Sequence, residues 1–203
     1  MDGPTIRKAV PTDVERIAEI ISGEPGVEAV AIAGCVEAAR DFGMALVRLP
    51  DSPQGWERST VAELDGRVVG VVQAGEDLSF RISPRLLRLV VRTFGIGLIS
   101  IWPRYKARQR VGPETPVGSW YIGELDVDPE YQNRGIGGAL LDHAEQEAKG
   151  YGLKKMSLQT TTVNPARRLY ERHGFRVEET RTDSSYERYT GIAGRHLMVK
   201  ELA

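Results

Sequence analysis

The stretch Leu125-Asp126-Val127-Asp128-Pro129-Glu130-Tyr131-Gln132-Asn133-Arg134-Gly135-Ile136-Gly137-Gly138-Ala139-Leu140-Leu141 concentrates residues able to do chemistry. A strand-like alternation ends at Asp128-Pro129, and Gly135, Gly137 and Gly138 then open an apolar-striped helix. Such a junction suits an anion. Glycine lets backbone approach a phosphate closely, first-turn N–H groups have no internal partner, and the helix dipole favours negative charge there. Arg134 adds a cation at the same end. Two familiar phosphate loops fail on spacing. A Gly-x-Gly-x-x-Gly pattern begun at Gly135 meets Leu140 where its third glycine belongs, and a nucleotide-triphosphatase loop needs Lys-Ser/Thr where Ala139-Leu140 stands. Upstream, Glu124 and Asp126 share one face of the strand by its period of two. Downstream, Asn164 precedes Pro165 as a helix cap, and Tyr170 lies on a helical stripe with Ala166 and Leu169. A phenol is a usable proton donor at neutral pH.

The pattern that fits is Gln/Arg-x-x-Gly-x-Gly/Ala, here Gln132-Asn133-Arg134-Gly135-Ile136-Gly137. It resembles the acyl-CoA pyrophosphate loop of the GNAT acetyltransferase superfamily. A second stretch, Asn164-Pro165-Ala166-Arg167-Arg168-Leu169-Tyr170-Glu171-Arg172-His173-Gly174-Phe175, is similar to the family's Asn-x-x-Ala-x-x-Leu-Tyr-x-x-x-Gly-Phe segment, and comes in the right order. The resemblance is specific over 119–181, looser over 1–74 and absent over 75–118.

The resemblance implies a GNAT acyl-CoA N-acyltransferase fold: an α/β domain spanning 1–203, a mixed central β-sheet flanked by helices, and a helical insertion between the third and fourth strands. It implies acetyl transfer from acetyl-CoA to a primary amine of a small molecule or peptide, by direct attack in a ternary complex and without a metal. Leu125, Asp126 and Val127 would meet the pantetheine arm where the fourth strand splays from the fifth. Gln132, Asn133, Arg134, Gly135, Ile136, Gly137, Gly138 and Ala139 would cradle the pyrophosphate. Asn164 would contact the pantetheine from the other wall, and Tyr170 would protonate the departing thiolate. Relatives that acetylate protein N-termini carry a glutamate five residues before the asparagine, whereas this chain has Gln159. Glu124 is therefore the candidate general base, directly or through a water. A module that binds acyl-CoA with little catalysis is the alternative.

The elements that must position these groups are readable in outline. Ile6 to Val10 suits a first strand, and Thr12 with Glu15 forms a capping box for a helix carrying Ile17, Ile20 and Ile21. Val27 to about Phe42 reads as one alanine-rich helix, burying Cys35 as an inert core thiol. Residues 51 to 55 suit a loop. Residues 60–64 and 67–72 flank Asp65-Gly66, a hairpin turn signal. Strands over 119–127, 155–161, 175–181 and 195–200 alternate with helices over 137–151 and 164–173. That order indicates an α/β domain with a mixed sheet.

Between hairpin and fourth strand, Ser83-Pro84 starts a helix with Leu87, Val90, Val91 and Phe94 on one side and Arg85, Arg88 and Arg92 on the other. Gly95 and Gly97 weaken it, and Pro103 and Gly112-Pro113 end the segment after it. From 81 to 110 there are eight positive charges, Arg81 among them, and no acid; since the whole chain stands at −1, the remainder carries −9. The arginine face, placed beside the acceptor site, would favour an acceptor with a carboxylate or phosphate. A homodimer through 75–118 would cover the apolar face, and an amphipathic helix of this kind also suits a membrane surface.

Composition narrows the field. At 203 residues, 41 % hydrophobic and 27 % charged, the chain can bury a core. Its charge balance excludes a globally basic nucleic-acid binder. A single cysteine excludes an intramolecular disulfide or a multi-thiolate metal site, and His143, His173 and His196 have no ligand spacing. Met1-Asp2-Gly3-Pro4 has no signal-peptide pattern, and Leu86 to Trp102 is short and charged for a transmembrane segment. The expectation is a cytoplasmic protein.

Overall fold

The computed structural model describes residues 3–49, 52, 54–76 and 83–202. Met1, Asp2, Asp51, Pro53 and Arg81, named above, lie outside them. In chain order the elements are β1 (Thr5–Lys8), α1 (Val14–Ser22), α2 (Val27–Ala33), α3 (Val36–Arg48), β2 (Ser59–Leu64), β3 (Arg67–Gly75), α4 (Pro84–Phe94) and α5 (Leu98–Arg110). Next come β4 (Ser119–Val127), α6 (Ile136–Gly150), β5 (Lys155–Thr161), α7 (Arg167–Arg172), β6 (Arg176–Thr182), α8 (Ser184–Thr190) and β7 (Gly194–Glu201). Among the described residues seven strands form one sheet in the order β1-β2-β3-β4-β5-β7-β6. Only β4 and β5 run parallel; every other neighbouring pair is antiparallel. This is the expected mixed sheet with helices on it, and α4 and α5 lie between β3 and β4 in chain order.

Apolar residues on the two sheet faces build two cores. Ile136, Leu140, Leu141, Ala144 and Ala148 of α6 pack with Ala62, Val69, Val72, Trp120, Ile122, Met156, Leu158, Tyr170 and Phe175. On the other face Ile17 and Ala18 of α1 and Val47 of α3 pack with Val61, Val68 and Val71. Each fully buried Val, Leu, Ile, Phe or Met side chain among them contributes roughly 1.5–3 kcal/mol. Gly70 explains how closely α6 sits: a Cβ there would lie 3.0 Å from Ile136 Cγ2 and 3.1 Å from Leu140 Cδ1. A smaller cluster, Ala107, Val111, Tyr186 and Ile192, joins α5 to α8.

Local chemistry departs from the sequence expectation in several places. The Asp65-Gly66 turn forms with both residues at positive φ, as a two-residue hairpin requires. The capping box does not: Asp13, not Thr12, accepts the Val10 N–H at 2.8 Å, and its carboxylate also takes Arg7 at 2.6 Å. Glu15 instead pairs with Arg48 at 2.5 Å. Arg7 is the reason, because a second partner fixes Asp13 at the helix entrance. The helix expected over 27–42 is two helices, broken where Gly34 takes φ 97° and Cys35 becomes the extended N-cap of α3. Cys35 is thus exposed, its Sγ accepting the Ala38 N–H at 3.5 Å, and is no core thiol. Pro103 sits within α5 rather than ending it, where the Arg104 guanidinium donates to the Ala31 carbonyl at 3.1 Å and helps hold the helix down. The helix α8 has no counterpart among the sequence expectations; Asp183 caps it, accepting from Tyr186 N at 2.9 Å.

Candidate active site

Two bulges and one divergence of strands shape the site. In β2–β3 the pairing steps from Ala62↔Gly70 to Glu63↔Val68, leaving Val69 as an extra residue whose carbonyl takes the Asp128 N–H at 2.9 Å. In β3–β4 it steps from Ala74↔Ile122 to Gln73↔Glu124, leaving Gly123 extra. A bulge re-aims the side chains beyond it. Trp120, Ile122, Leu125 and Val127 therefore all belong to the α6 side of the sheet. The alternation puts Tyr121, Glu124 and Asp126 on the other. The parallel pairing of β4 and β5 covers only Ser119–Ile122 against Lys155–Leu158. Beyond it the two strands part, and backbone groups of Gly123 to Val127 on the β5 side have no ladder partner there.

The loop after β4 closes one end of this gap. Asp128 accepts the Glu130 N–H at 3.0 Å and is clamped by Arg16 of α1 and, at 3.5 Å, by Arg67 of β3. Gln132 donates from its amide to the Val127 carbonyl at 3.1 Å. Asn133 (φ 61°) and Gly135 (φ 81°) turn the chain into α6, whose first internal bond there is Ala139 N–H to the Gly135 carbonyl at 3.0 Å. The Ile136, Gly137 and Gly138 N–H groups precede it, the unpartnered first turn of a helix. Residues Gln132 to Gly135 are exposed. Arg134 folds back, donating to the Glu130 carbonyl at 3.0 Å and lying 5.1 Å over the Tyr131 ring. Two glycines have a packing reason besides backbone access. A Cβ on Gly137 would meet Leu169 Cδ2 at 3.1 Å, and one on Gly138 the His173 ring at 3.2 Å, both on the α7 side. The glycine-lined first turn is open to a phosphate group and fits an acyl-CoA pyrophosphate.

The far wall is α7. Asn164 does not cap it as expected: α7 begins only at Arg167 with Ala166 as its N-cap, and the Asn164 side-chain oxygen accepts the Ala166 N–H at 2.8 Å in the turn leading into the helix. Tyr170 is buried edge-on to Phe175, ring centroids 6.2 Å apart. Burial, and secondarily the charges of Asp126 and Glu124, raise its phenol pKa, so it stays protonated at neutral pH.

Across the gap stand the two carboxylates. Glu124 accepts a hydrogen bond from the Gln54 amide at 2.6 Å. Gln54 is itself held through its carbonyl by Gln73, a buried residue that also donates to Ser59 Oγ at 3.0 Å. Burial raises the Glu124 pKa above the usual carboxylate range. Burial, then the charge of Glu124, lifts Asp126 to about 7. Asp126, placed by the sequence only among cofactor contacts, is thus a second acid–base candidate beside Glu124. Its burial is tertiary and left no signal in the sequence.

Gln159, at the position of the relatives' glutamate, donates to the Pro113 carbonyl at 2.6 Å and braces the loop after α5. Beside it lies a charged cluster that sequence reasoning missed. Glu28 of α2 pairs with Arg195 of β7, with Arg108 of α5 at 2.9 Å, and with the Tyr186 hydroxyl at 2.6 Å. Arg195 also donates to the Gln159 carbonyl at 3.2 Å, while its buried Nε has no partner among the described residues. These charges act on both Tyr121 and Glu124. Arg85, Arg88 and Arg92 lie on α4 as expected, and α4 packs on α3. Arg108 is the arginine of this region that reaches the cluster.

Comparison with known proteins agrees with this geometry. Residues 37–175 match the model of the Acetyltransferase (GNAT) family. Over 77 residues the chain is 34% identical to the human "Cysteine-rich protein 2-binding protein", covering 38% of this chain and 9% of that protein's length. Among solved structures, one described as "acetyltransferase" is 22% identical with a TM-score of 0.58, over 98% of this chain and all of that one. The PaiA N-acetyltransferase of Thermoplasma acidophilum, solved in complex with coenzyme A, is 18% identical with a TM-score of 0.59, over the full length of both chains. At such identities the solved structures speak for the fold.

Proposed function

The chain belongs to the GNAT acetyltransferase family, and from that premise we propose that it moves an acetyl group from acetyl-CoA to a primary amine by direct attack in a ternary complex. The observation that carries the reading is the parting of β4 and β5 after Ile122 and Leu158, with the glycine-lined start of α6 at one end and Tyr170 on the far wall. The first-turn N–H groups of α6 take the pyrophosphate, and free backbone groups of β4 take the pantetheine arm. Asn164 adds a contact from the opposite side.

An amine must be neutral to attack. Asp126, with a pKa near neutrality, and Glu124 beside it accept its proton, directly or through a water. The amine nitrogen bonds to the thioester carbonyl carbon, and backbone N–H groups at the splay stabilise the oxyanion. The carbon–sulfur bond then breaks, and Tyr170 gives its proton to the sulfur. Small-molecule or peptide amines are the acceptors. Tyr121, Arg108 and Arg195 line the side from which they arrive.

The test is CoA release from acetyl-CoA across polyamines, aminoglycosides, amino acids and peptides. Turnover with any of these supports the reading. Tight acetyl-CoA binding with no release above hydrolysis for any amine overturns it in favour of an acyl-CoA-binding module.

A further inference from the structure

The helices α4 and α5 present an outer face that no described residue covers. Leu87 and Val91 on α4 are 55% and 52% exposed; Ile96 at the junction, Ile99 and Trp102 are 92%, 83% and 59% exposed. Their inner faces are secured. Phe94 packs on Phe42 of α3 with ring centroids 5.0 Å apart, Arg104 bonds the Ala31 carbonyl, Arg108 pairs with Glu28, and Arg110 pairs with Asp183 at 2.7 Å. The exposed apolar row is therefore the outside of a docked pair, not a detached segment.

The charge of the same surface identifies what would cover it. No aspartate or glutamate occurs from Ser83 to Pro113. Arg88, Arg92 and Lys106 have no ion pair to the described residues, and Lys106 lies 5.1 Å over the Trp102 ring. Arg92 shares a groove with Glu37 and Asp41 of α3, so Arg88 and Lys106 are the cations that face outward. A symmetric contact with a second copy would set these cations against themselves. A bilayer with anionic headgroups accepts apolar tips at acyl depth and phosphate beside the cations. Tryptophan and long cationic side chains are the residues that settle at that boundary.

Geometry decides between lying on the membrane and crossing it. Pro84–Arg110 is long and apolar enough to span by length and composition alone. Gly95, at φ 49° and ψ −129°, breaks it into helices of 11 and 13 residues. At about 1.5 Å per residue each falls well short of a hydrocarbon core of about 30 Å. Both helices are also tied to the body along their length, which a spanning segment would have to release.

We propose that the α4–α5 face docks this protein on the surface of an anionic membrane, with Ile96, Ile99 and Trp102 inserted at headgroup level and Arg88 and Lys106 against lipid phosphate. The experiment is vesicle co-sedimentation of the full chain with phosphatidylcholine alone and with added phosphatidylglycerol, from about 0.1 to about 0.5 M salt. Binding is expected only with the anionic vesicles and should weaken as salt rises. The triple variant Ile96→Ser/Ile99→Ser/Trp102→Ser should lose at least about tenfold in partitioning, and Arg88→Glu/Lys106→Glu a similar amount. Melting temperature and acetyl-CoA affinity should be unchanged in both, since every altered side chain is exposed. No sedimentation with anionic vesicles overturns the proposal. So does a dimer by light scattering that the triple variant converts to monomer, for then a second copy is the occupant.

Discussion

The two walls of the candidate site are built by different means. The wall made by the end of β4, the start of α6 and α7 lies within 48 consecutive residues, Val127 to Gly174, and apart from the clamp of Arg16 and Arg67 on Asp128 its contacts named above are local: Asp128 to Glu130 N, Gln132 to the Val127 carbonyl, Asn164 to Ala166 N. The opposite wall is assembled from α2, α5, α8, β7 and the segment before β2, through contacts such as Arg195 with Glu28 and Gln54 with Glu124, 167 and 70 residues apart. The first wall suits one invariant ligand and can be specified by short spacings. The second holds half-buried charge that depends on partners brought from a distance.

The sharpest way to break this comparison is to fill the local wall. Gly137→Glu should abolish acetyl-CoA binding, a loss of at least about a hundredfold in calorimetry, because it puts a carboxylate where the pyrophosphate approaches. Gly137→Ala meets the same Leu169 contact without the charge and should lose far less. Equal losses would make Gly137 a packing glycine only.

Next comes Tyr170→Phe, which removes the proton and keeps the ring against Phe175. The kcat should fall roughly 10²–10⁴-fold with acetyl-CoA affinity unchanged. Wild-type kcat across the pH range would leave the tyrosine as core packing.

Asp126→Asn probes the meeting of the walls through pH. If its carboxylate takes the amine proton, wild-type activity rises with pH through about 7, and the variant loses that limb. Stability supplies an independent readout. The folded state binds this proton more tightly than the unfolded state, where the pKa is near 3.8. Its stabilising contribution is therefore full below pH 3.8 and is lost as pH rises through 7. The asparagine variant should melt above wild type at pH 8 and show no gain near pH 4.

The smallest effect is expected from Glu28→Gln in the long-range wall. Arg195 and Arg108 lose their shared carboxylate, while the Tyr186 hydroxyl keeps an acceptor. The groups are partly solvated, so a stability loss of about 2 kcal/mol is expected by denaturant melting, below that of a fully buried pair. Acetyl-CoA affinity should not change; a change would show that the two walls are coupled.

The local wall was legible because its chemistry is written in neighbours. Glycine spacing, an Asp-Pro turn and an Asn-Pro turn constrain backbone within a few residues, and those constraints survive into the fold, although the Asn164 bond closes the turn before α7 rather than capping the helix. The same holds for the Asp65-Gly66 hairpin and for strands β4, β5 and β7. Reading failed where a distant partner decided a local choice. Thr12 and Glu15 have the right spacing for a capping box, but Arg7 and Arg48 claim Asp13 and Glu15. Alanine-rich periodicity continued across Gly34 and Cys35, because a helix signal does not register that one glycine adopts φ 97°.

Residue order alone was enough for the mixed α/β framework, the glycine-lined turn into α6 and the positions of Tyr170 and Asn164. Tertiary packing was needed to part β4 from β5 after Ile122, to desolvate the half-buried Asp126 beside Glu124, and to brace Pro113 with Gln159. Packing also laid α4 on α3 and left Ile96, Ile99 and Trp102 outward. The division is one of range. Dihedral preference and hydrogen bonding between neighbours are encoded residue by residue, whereas desolvation and charge pairing exist only once the chain has brought distant groups together.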